Sequence, residues 1–157
     1  MLINPEVGSF VFIGEIITDL ELAYDAEHLK DLCGHCTKCL DACPTGALVG
    51  PRDLDARKCI AYLTIEYKGE LPAELREKFH GFIFGCDICQ EACPWNRFAK
   101  PTTVEAFRPS EELKSMDKEK WNALTEEQFR QLFRGSAVKR TKFEGLRRNI
   151  DFLAGEK

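Results

Sequence analysis

The sequence has no apolar run long enough to cross a bilayer. A membrane-spanning helix needs roughly 18 to 20 consecutive apolar residues, and the longest candidate, Phe10 to Ile17, is interrupted by Gly14 and Glu15. The N-terminus has neither the charged start nor the small-residue cleavage site of a secretion signal. These absences point to the cytoplasm. Compositional bias is missing too. With 44% hydrophobic and 31% charged residues, the 157-residue chain is ordinary for a soluble protein, which excludes wholesale disorder and suits one domain, or one small domain with an appendage. Scattered cysteines are also lacking. Seven of the eight fall in two tight runs, Cys33, Cys36, Cys39, Cys43 and Cys86, Cys89, Cys93, with Cys59 alone between them. A disulfide framework disperses its cysteines and needs an oxidising compartment. Metal binding is the better class.

The first run, Cys33-x2-Cys36-x2-Cys39-x3-Cys43-Pro44, has the spacing of a bacterial ferredoxin. There, three close thiolates grip three corners of one four-iron cube and the fourth cysteine reaches the other cluster. Zinc sites use two CxxC pairs, or one pair with histidines, and have no need of this triple spacing. The second run has the same ending, Cys93-Pro94, but Ile83 stands where its first cysteine is due. Cys59 is the one cysteine left to complete it. Under ligand exchange, cluster one takes Cys33, Cys36, Cys39 and Cys93, and cluster two takes Cys43, Cys59, Cys86 and Cys89. Two sets of four leave no orphan. Nearby polar residues read more simply: His28, His35, Asp41 and Glu91 as solvated loop residues, His80 as a helix end, and Trp95 as packing.

Elsewhere the patterns are local. Val7 to Gly14 is apolar and β-branched, and is expected to form a strand. Asp53 or Asp55 can cap a helix to about Tyr67, with Ile60, Leu63 and Tyr67 on one face, and Pro72 opens a short helix over Ala73 to Phe79. Thr125 with Gln128 forms a capping box for a helix to about Phe133, broken by Gly135-Ser136. A last helix from about Lys139 aligns Phe143, Leu146, Ile150 and Leu153, with Arg140, Arg147 and Arg148 expected outward. Those two helices look like one unit of an α-helical repeat. The net charge of -4 hides a basic tail: Arg134, Lys139, Arg140, Lys142, Arg147 and Arg148 face a single acid, Glu144. From charge alone, a phosphate-binding surface and a solvated helix face are equally good readings.

Three stretches carry a resemblance. Cys33 to Pro44 with Thr45-Gly46-Ala47-Leu48, Cys59-Ile60-Ala61-Tyr62-Leu63-Thr64-Ile65-Glu66, and Gly85 to Asn96 together resemble the epoxyqueuosine reductases. So do the flanks Asn4 to Ile16 and Phe133 to Arg140. The resemblance implies an α+β fold: a bacterial dicluster ferredoxin-like domain with an N-terminal strand segment and a C-terminal, HEAT-like α-helical extension. It divides the chain into 1–30, a remnant of a cobalamin-binding domain and linker; 31–100, the 4Fe-4S dicluster domain; and 101–157, a helical extension with a basic face. The implied activity is cobalamin-dependent reduction of epoxyqueuosine to queuosine in the anticodon region of tRNA, with electrons from an external donor passing through two 4Fe-4S clusters.

By the same resemblance Ser9, Val11, Gly14 and Asp87 would lie near the corrin, and Lys139, Arg140, Arg147 and Arg148 would meet tRNA phosphates. The family's proposed proton donor lies in an N-terminal domain that has no counterpart here, so no catalytic residue is assigned and the lone chain is not expected to turn over; both ends look cut. The expected protein is a monomer away from membranes. The alternatives are a stand-alone dicluster ferredoxin carrying electrons, which needs neither the apolar N-terminal segment nor the basic tail, and a zinc-stabilised nucleic-acid-binding module, which would be colourless.

Overall fold

The computed structural model describes residues 2–25 and 30–155. The chain begins in a turn closed by paired backbone bonds between Asn4 and Gly8, both 2.9 Å. Beyond it, residues 10–25 pair with no strand among the described residues. The expected strand over Val7 to Gly14 does not form. A strand is stable only when a neighbour completes its ladder, and here Phe12, Ile13, Ile16 and Ile17 are left exposed.

The cysteine region is built from short elements. Helix α1 (Lys38–Ala42) leads into a two-stranded antiparallel hairpin, β1 (Leu48–Gly50) and β2 (Asp53–Leu54). The single expected helix from Asp53 or Asp55 to Tyr67 is divided. Asp53 belongs to β2, Asp55 caps a 3-10 turn (Ala56–Lys58), and α2 (Ile60–Ile65) starts afresh after Cys59, whose extended backbone interrupts the helix. The expected short helix over Ala73–Phe79 is present as a 3-10 helix, ended by His80 in the left-handed region at φ 49°. Helix α3 (Ile88–Glu91) packs beside α1, and a 3-10 turn (Pro94–Phe98) follows the last cysteine.

The remainder is helical, giving the α+β architecture. After an exposed stretch come α4 (Glu111–Lys114), α5 (Lys118–Asn122), α6 (Glu126–Leu132) and α7 (Lys142–Ala154). The capping box at α6 is complete, Thr125 and Gln128 each accepting from the other's backbone N–H. It satisfies two of the donors that a helix start leaves unpaired. No helix among the described residues is long and apolar enough to cross a membrane.

Helix α7 joins two cores. Its Phe152 packs with Ile60, Leu63, Leu71, Leu75 and Phe79, while Leu146 and Ile150 pack with Leu124, Phe129 and Phe133. Phe79 is completely buried, its ring 5.1 Å from that of Phe152 and tilted by 58°. Through the first of these cores α7 packs against α2, whose head carries Cys59, so buried apolar side chains join the C-terminal helix to the cysteine region.

Candidate metal centres

The first cysteine loop is tightened by an acid. The Asp31 carboxylate accepts from the Cys33 N–H at 3.1 Å and pairs with Arg52. The backbone N–H of Cys33, then Arg52, hold this carboxyl below its ordinary range. Cys36 N–H donates to Cys33 O at 3.2 Å, closing the turn that brings Cys33, Cys36 and the α1 residue Cys39 to one side. Cys43 follows α1 with extended backbone, and Pro44 turns the chain away.

The second loop repeats this arrangement across α3, which places Cys93 near the first loop. Trp95 fastens the two together: its indole N–H donates to Leu32 O at 2.9 Å. The packing of α1 against α3 therefore carries the last cysteine of each run toward the other run's space.

Two cavities result. One, of about 70 Å³, is lined by Cys33, Cys36, Cys39 and Cys93 with Ile3, Leu32, Pro94 and Trp95. It adjoins a larger hollow of about 390 Å³ that shares the first three of these cysteines. The other, of about 300 Å³, is lined by Cys43, Cys59, Cys86 and Cys89 among Pro44, Ala47, Leu48, Ile60 and Ile88. Each cavity thus holds one of the two sets expected from ligand exchange, and none of the eight cysteines is in a disulfide. Each set surrounds a space. Among the described residues, no three His, Cys, Asp or Glu side chains converge on a single point as one ion would require. Four thiols around each cavity are the donor set that a four-iron cube requires, one for each iron corner.

The thiols of the second set differ among themselves. Burial pushes Cys86 and Cys89 up from the ordinary thiol value, and the neighbouring sulfurs of Cys59 and Cys43 add to this in both. Cys43 is also penalised by burial, but N–H groups of Leu48 and Ala47 and the Thr45 hydroxyl outweigh it and leave the thiol below its ordinary value. Ala47 N–H lies 3.3 Å from the sulfur. Crowded thiolates in a half-buried space need cations among them, and iron supplies these when a cluster is bound.

The residues expected near a corrin are placed as follows. Ser9 is buried, with its hydroxyl bonded to Gln90 Oε1 at 2.6 Å and its N–H to Asn96 Oδ1 at 2.6 Å. It ties the N-terminal turn to the second cysteine loop. Gly8 makes the approach possible: at φ +88°, a Cβ there would fall 2.4 Å from Asn96 Oδ1. Val11 is half-buried, Gly14 is exposed with open space about it, and Asp87 is exposed between Cys86 and Cys89. His35 and Glu91 are exposed, Asp41 accepts from Thr37 at 2.8 Å, and His28 lies outside the described residues.

The basic tail divides in two. Lys139 and Arg140 are exposed, and Arg140 pairs with Glu66. Arg147 and Arg148 do not face outward as expected. Arg147 donates to Asn122 O at 2.8 Å and to Leu124 O at 2.5 Å, and its guanidinium lies over the Phe143 ring. Arg148 donates to Leu63 O, Tyr67 O and Gly69 O at 2.8–2.9 Å. The carbonyls beyond the end of a short helix need donors, and a guanidinium with five N–H groups supplies them.

Two residues of consequence escaped the sequence patterns: Thr64 and Asn149 are both buried and polar. Their spacing was the available signal, since Asn149 stands between Leu146 and Ile150 on the apolar stripe of α7, and Thr64 four residues after Ile60 on that of α2.

Comparisons with known proteins agree with this geometry. The 4Fe-4S double cluster binding domain family matches residues 32–96. Epoxyqueuosine reductase of Cellulophaga algicola is 52% identical over 152 residues, covering 97% of this chain and 49% of the relative. Among solved structures, epoxyqueuosine reductase from Bacillus subtilis superposes with a TM-score of 0.87 at 37% identity, covering 98% of this chain and 41% of that one. An epoxyqueuosine reductase crystallised with an epoxyqueuosine-modified tRNA-Tyr stem loop gives 0.71 at 37% identity, over 80% of this chain and 33% of that one. The chain spans about half the length of the curated relatives it matches.

Proposed function

Because the chain belongs to the epoxyqueuosine reductase family and spans about half the length of its relatives, we propose that it is the electron-relay and tRNA-facing part of such an enzyme, acting in the cytoplasm as a monomer fed by an external reductant. One observation carries the proposal: the eight cysteines separate into two cavities of four, with Cys43 and Cys93 each contributed across from the other run. Cys33, Cys36, Cys39 and Cys93 would hold one 4Fe-4S cluster, and Cys43, Cys59, Cys86 and Cys89 the other. Bound clusters supply one-electron carriers of adjustable potential. The protein's part is to hold the two sets side by side through α1 and α3 and to line both mostly with apolar side chains, Thr45 and Arg52 being the polar exceptions at the second.

Cobalamin belongs to the intact relatives' reaction, and Ser9, Val11, Gly14 and Asp87 would be this chain's edge of its site. Those four do not by themselves build a corrin pocket: the Ser9 hydroxyl is already engaged by Gln90, and Gly14 has nothing near it. For tRNA, Lys139 and Arg140 are the two exposed members of that expected set, Arg140 already paired with Glu66, and they support phosphate contact. Arg147 and Arg148 would act through the packing of α7.

A chimaera tests the proposal. The chain replaces the matching portion of a relative in cells lacking their own epoxyqueuosine reductase, and queuosine in tRNA is measured by nucleoside mass spectrometry. Queuosine from the chimaera and none from its Cys59→Ala form is the expected result. A cluster-loaded, folded chimaera that leaves epoxyqueuosine unreduced would overturn it.

A further inference from the structure

Asn149 is 1% exposed and lies on α7, far along the chain from any cysteine. Its amide nitrogen has two hydrogens and both are used: one on Thr64 O, the other on Ile83 O, each at 2.8 Å. Thr64 belongs to the helix that starts directly after Cys59, and Ile83 lies three residues before Cys86. One side-chain amide therefore spans the two chain segments that deliver Cys59 and Cys86. Thr64 makes a second tie between them, its hydroxyl accepting from Gly85 N–H at 3.0 Å while donating to Ile60 O at 2.7 Å. On the other side, the Asn149 oxygen accepts from Arg148 Nε at 3.2 Å and Nη2 at 2.9 Å, which fixes which way the amide points.

A buried amide in an apolar stripe is costly unless its partners require it. Here its nitrogen's partners are backbone carbonyls of those two segments. We propose that Asn149 is a positioning residue for the second metal centre: with Thr64 it sets the separation of the Cys59 and Cys86 arms, so that cluster retention and potential at that centre depend on the C-terminal helix. This rests on the assignment of Cys43, Cys59, Cys86 and Cys89 to one cluster. Splayed arms admit water and alter hydrogen bonding around the sulfurs, and both change a cluster's potential. Three of the first centre's cysteines lie on another segment, and the fourth, Cys93, follows α3, beyond the tied residues Ile83 and Gly85; among the described residues no such tie joins it to α7.

The test uses the whole chain purified without oxygen, with three readouts: iron release to a chelator, the electron paramagnetic resonance spectrum after reduction, and a potentiometric titration. Asn149→Leu keeps the volume and removes both donors. Release of about four of about eight irons should accelerate about tenfold or more, with a shifted potential for that cluster and wild-type behaviour for the other. Thr64→Val should act on the same cluster, and Thr64→Ser should restore it, which also covers the case of an Asn149 variant that fails to fold. Phe129→Ala, a packing defect on the other core, should lower the melting temperature without distinguishing the clusters. Equal effects of Asn149→Leu on both clusters or on neither, or a Thr64→Ser variant no better than Thr64→Val, would overturn the proposal. Cys59→Ala separates the two claims. If it spares both clusters, the ligand assignment is at fault; if it removes one cluster that the Asn149 and Thr64 variants leave untouched, only the positioning role falls.

Discussion

Replacing Arg148 by Met keeps the aliphatic stem and removes the guanidinium. In the structure that group donates to Leu63 O at 2.9 Å, Tyr67 O at 2.8 Å and Gly69 O at 2.9 Å, and to the Asn149 oxygen. Hydrogen bonds to charged groups contribute about 1.5–3 kcal/mol each when water cannot replace them. Arg148 is only half-buried, and water reaches Gly69 O, so the four contacts cannot simply be added. A net loss of about 3 kcal/mol is the reasoned expectation, which at 2–4 °C per kcal/mol for a chain of this size lowers the melting temperature by about 6–12 °C. Circular dichroism melting of the cluster-loaded chain measures it, beside tRNA binding over a salt series. Lys139→Met is the control and should leave the melting temperature where it was. If Arg148→Met melts with the wild type but binds tRNA tenfold more weakly, Arg148 is a phosphate ligand and its placement as a strut is wrong.

Other perturbations reach different parts of the molecule. Charge reversal at Lys139 and Arg140 together should reduce the salt slope of tRNA binding by about 1 to 2 without changing the melting temperature; an unchanged slope removes them from the interface. Phe79→Ala, which empties a fully buried site against Phe152, should cost about 3–5 kcal/mol, read by thermal melting. Gly8→Ala must leave φ +88° or push Asn96 aside, at a cost of about 1–3 kcal/mol; the N-terminal segment should detach from the second loop and be cleaved faster by protease between residues 10 and 25, and unaltered cleavage would contradict the docking described. After iron removal, Cys43 should alkylate at lower pH than Cys86 and Cys89. The thiolate is the reactive form, and the ordinary thiol value is lowered for Cys43 but raised by burial for the other two; mass-mapped labelling from pH 7 to 10 gives the order.

The two cysteine runs were legible because spacing within a run is a local property that survives any rearrangement of the rest. So was the α6 capping box, whose two partners lie three residues apart. Long-range contacts were not legible. Charge pattern placed Arg147 and Arg148 outward, but carbonyls of Leu124 and Leu63, brought near only by folding, turned them inward. The apolar run Val7 to Gly14 has strand composition, yet pairing depends on a neighbour that local sequence cannot supply. Cys59 illustrates both sides: the ligand count singled it out, but not the break in the helix where it stands, at the lining of the second cavity.

The most direct measurement is the iron and sulfide content of the anaerobically purified chain, followed by Mössbauer and paramagnetic resonance spectra of the Cys59→Ala variant. The ligand assignment requires about eight irons and eight sulfides in the wild type, with one cluster lost and the other unchanged in the variant. Zinc without iron in the wild type, or two intact clusters after Cys59 is removed, would contradict it.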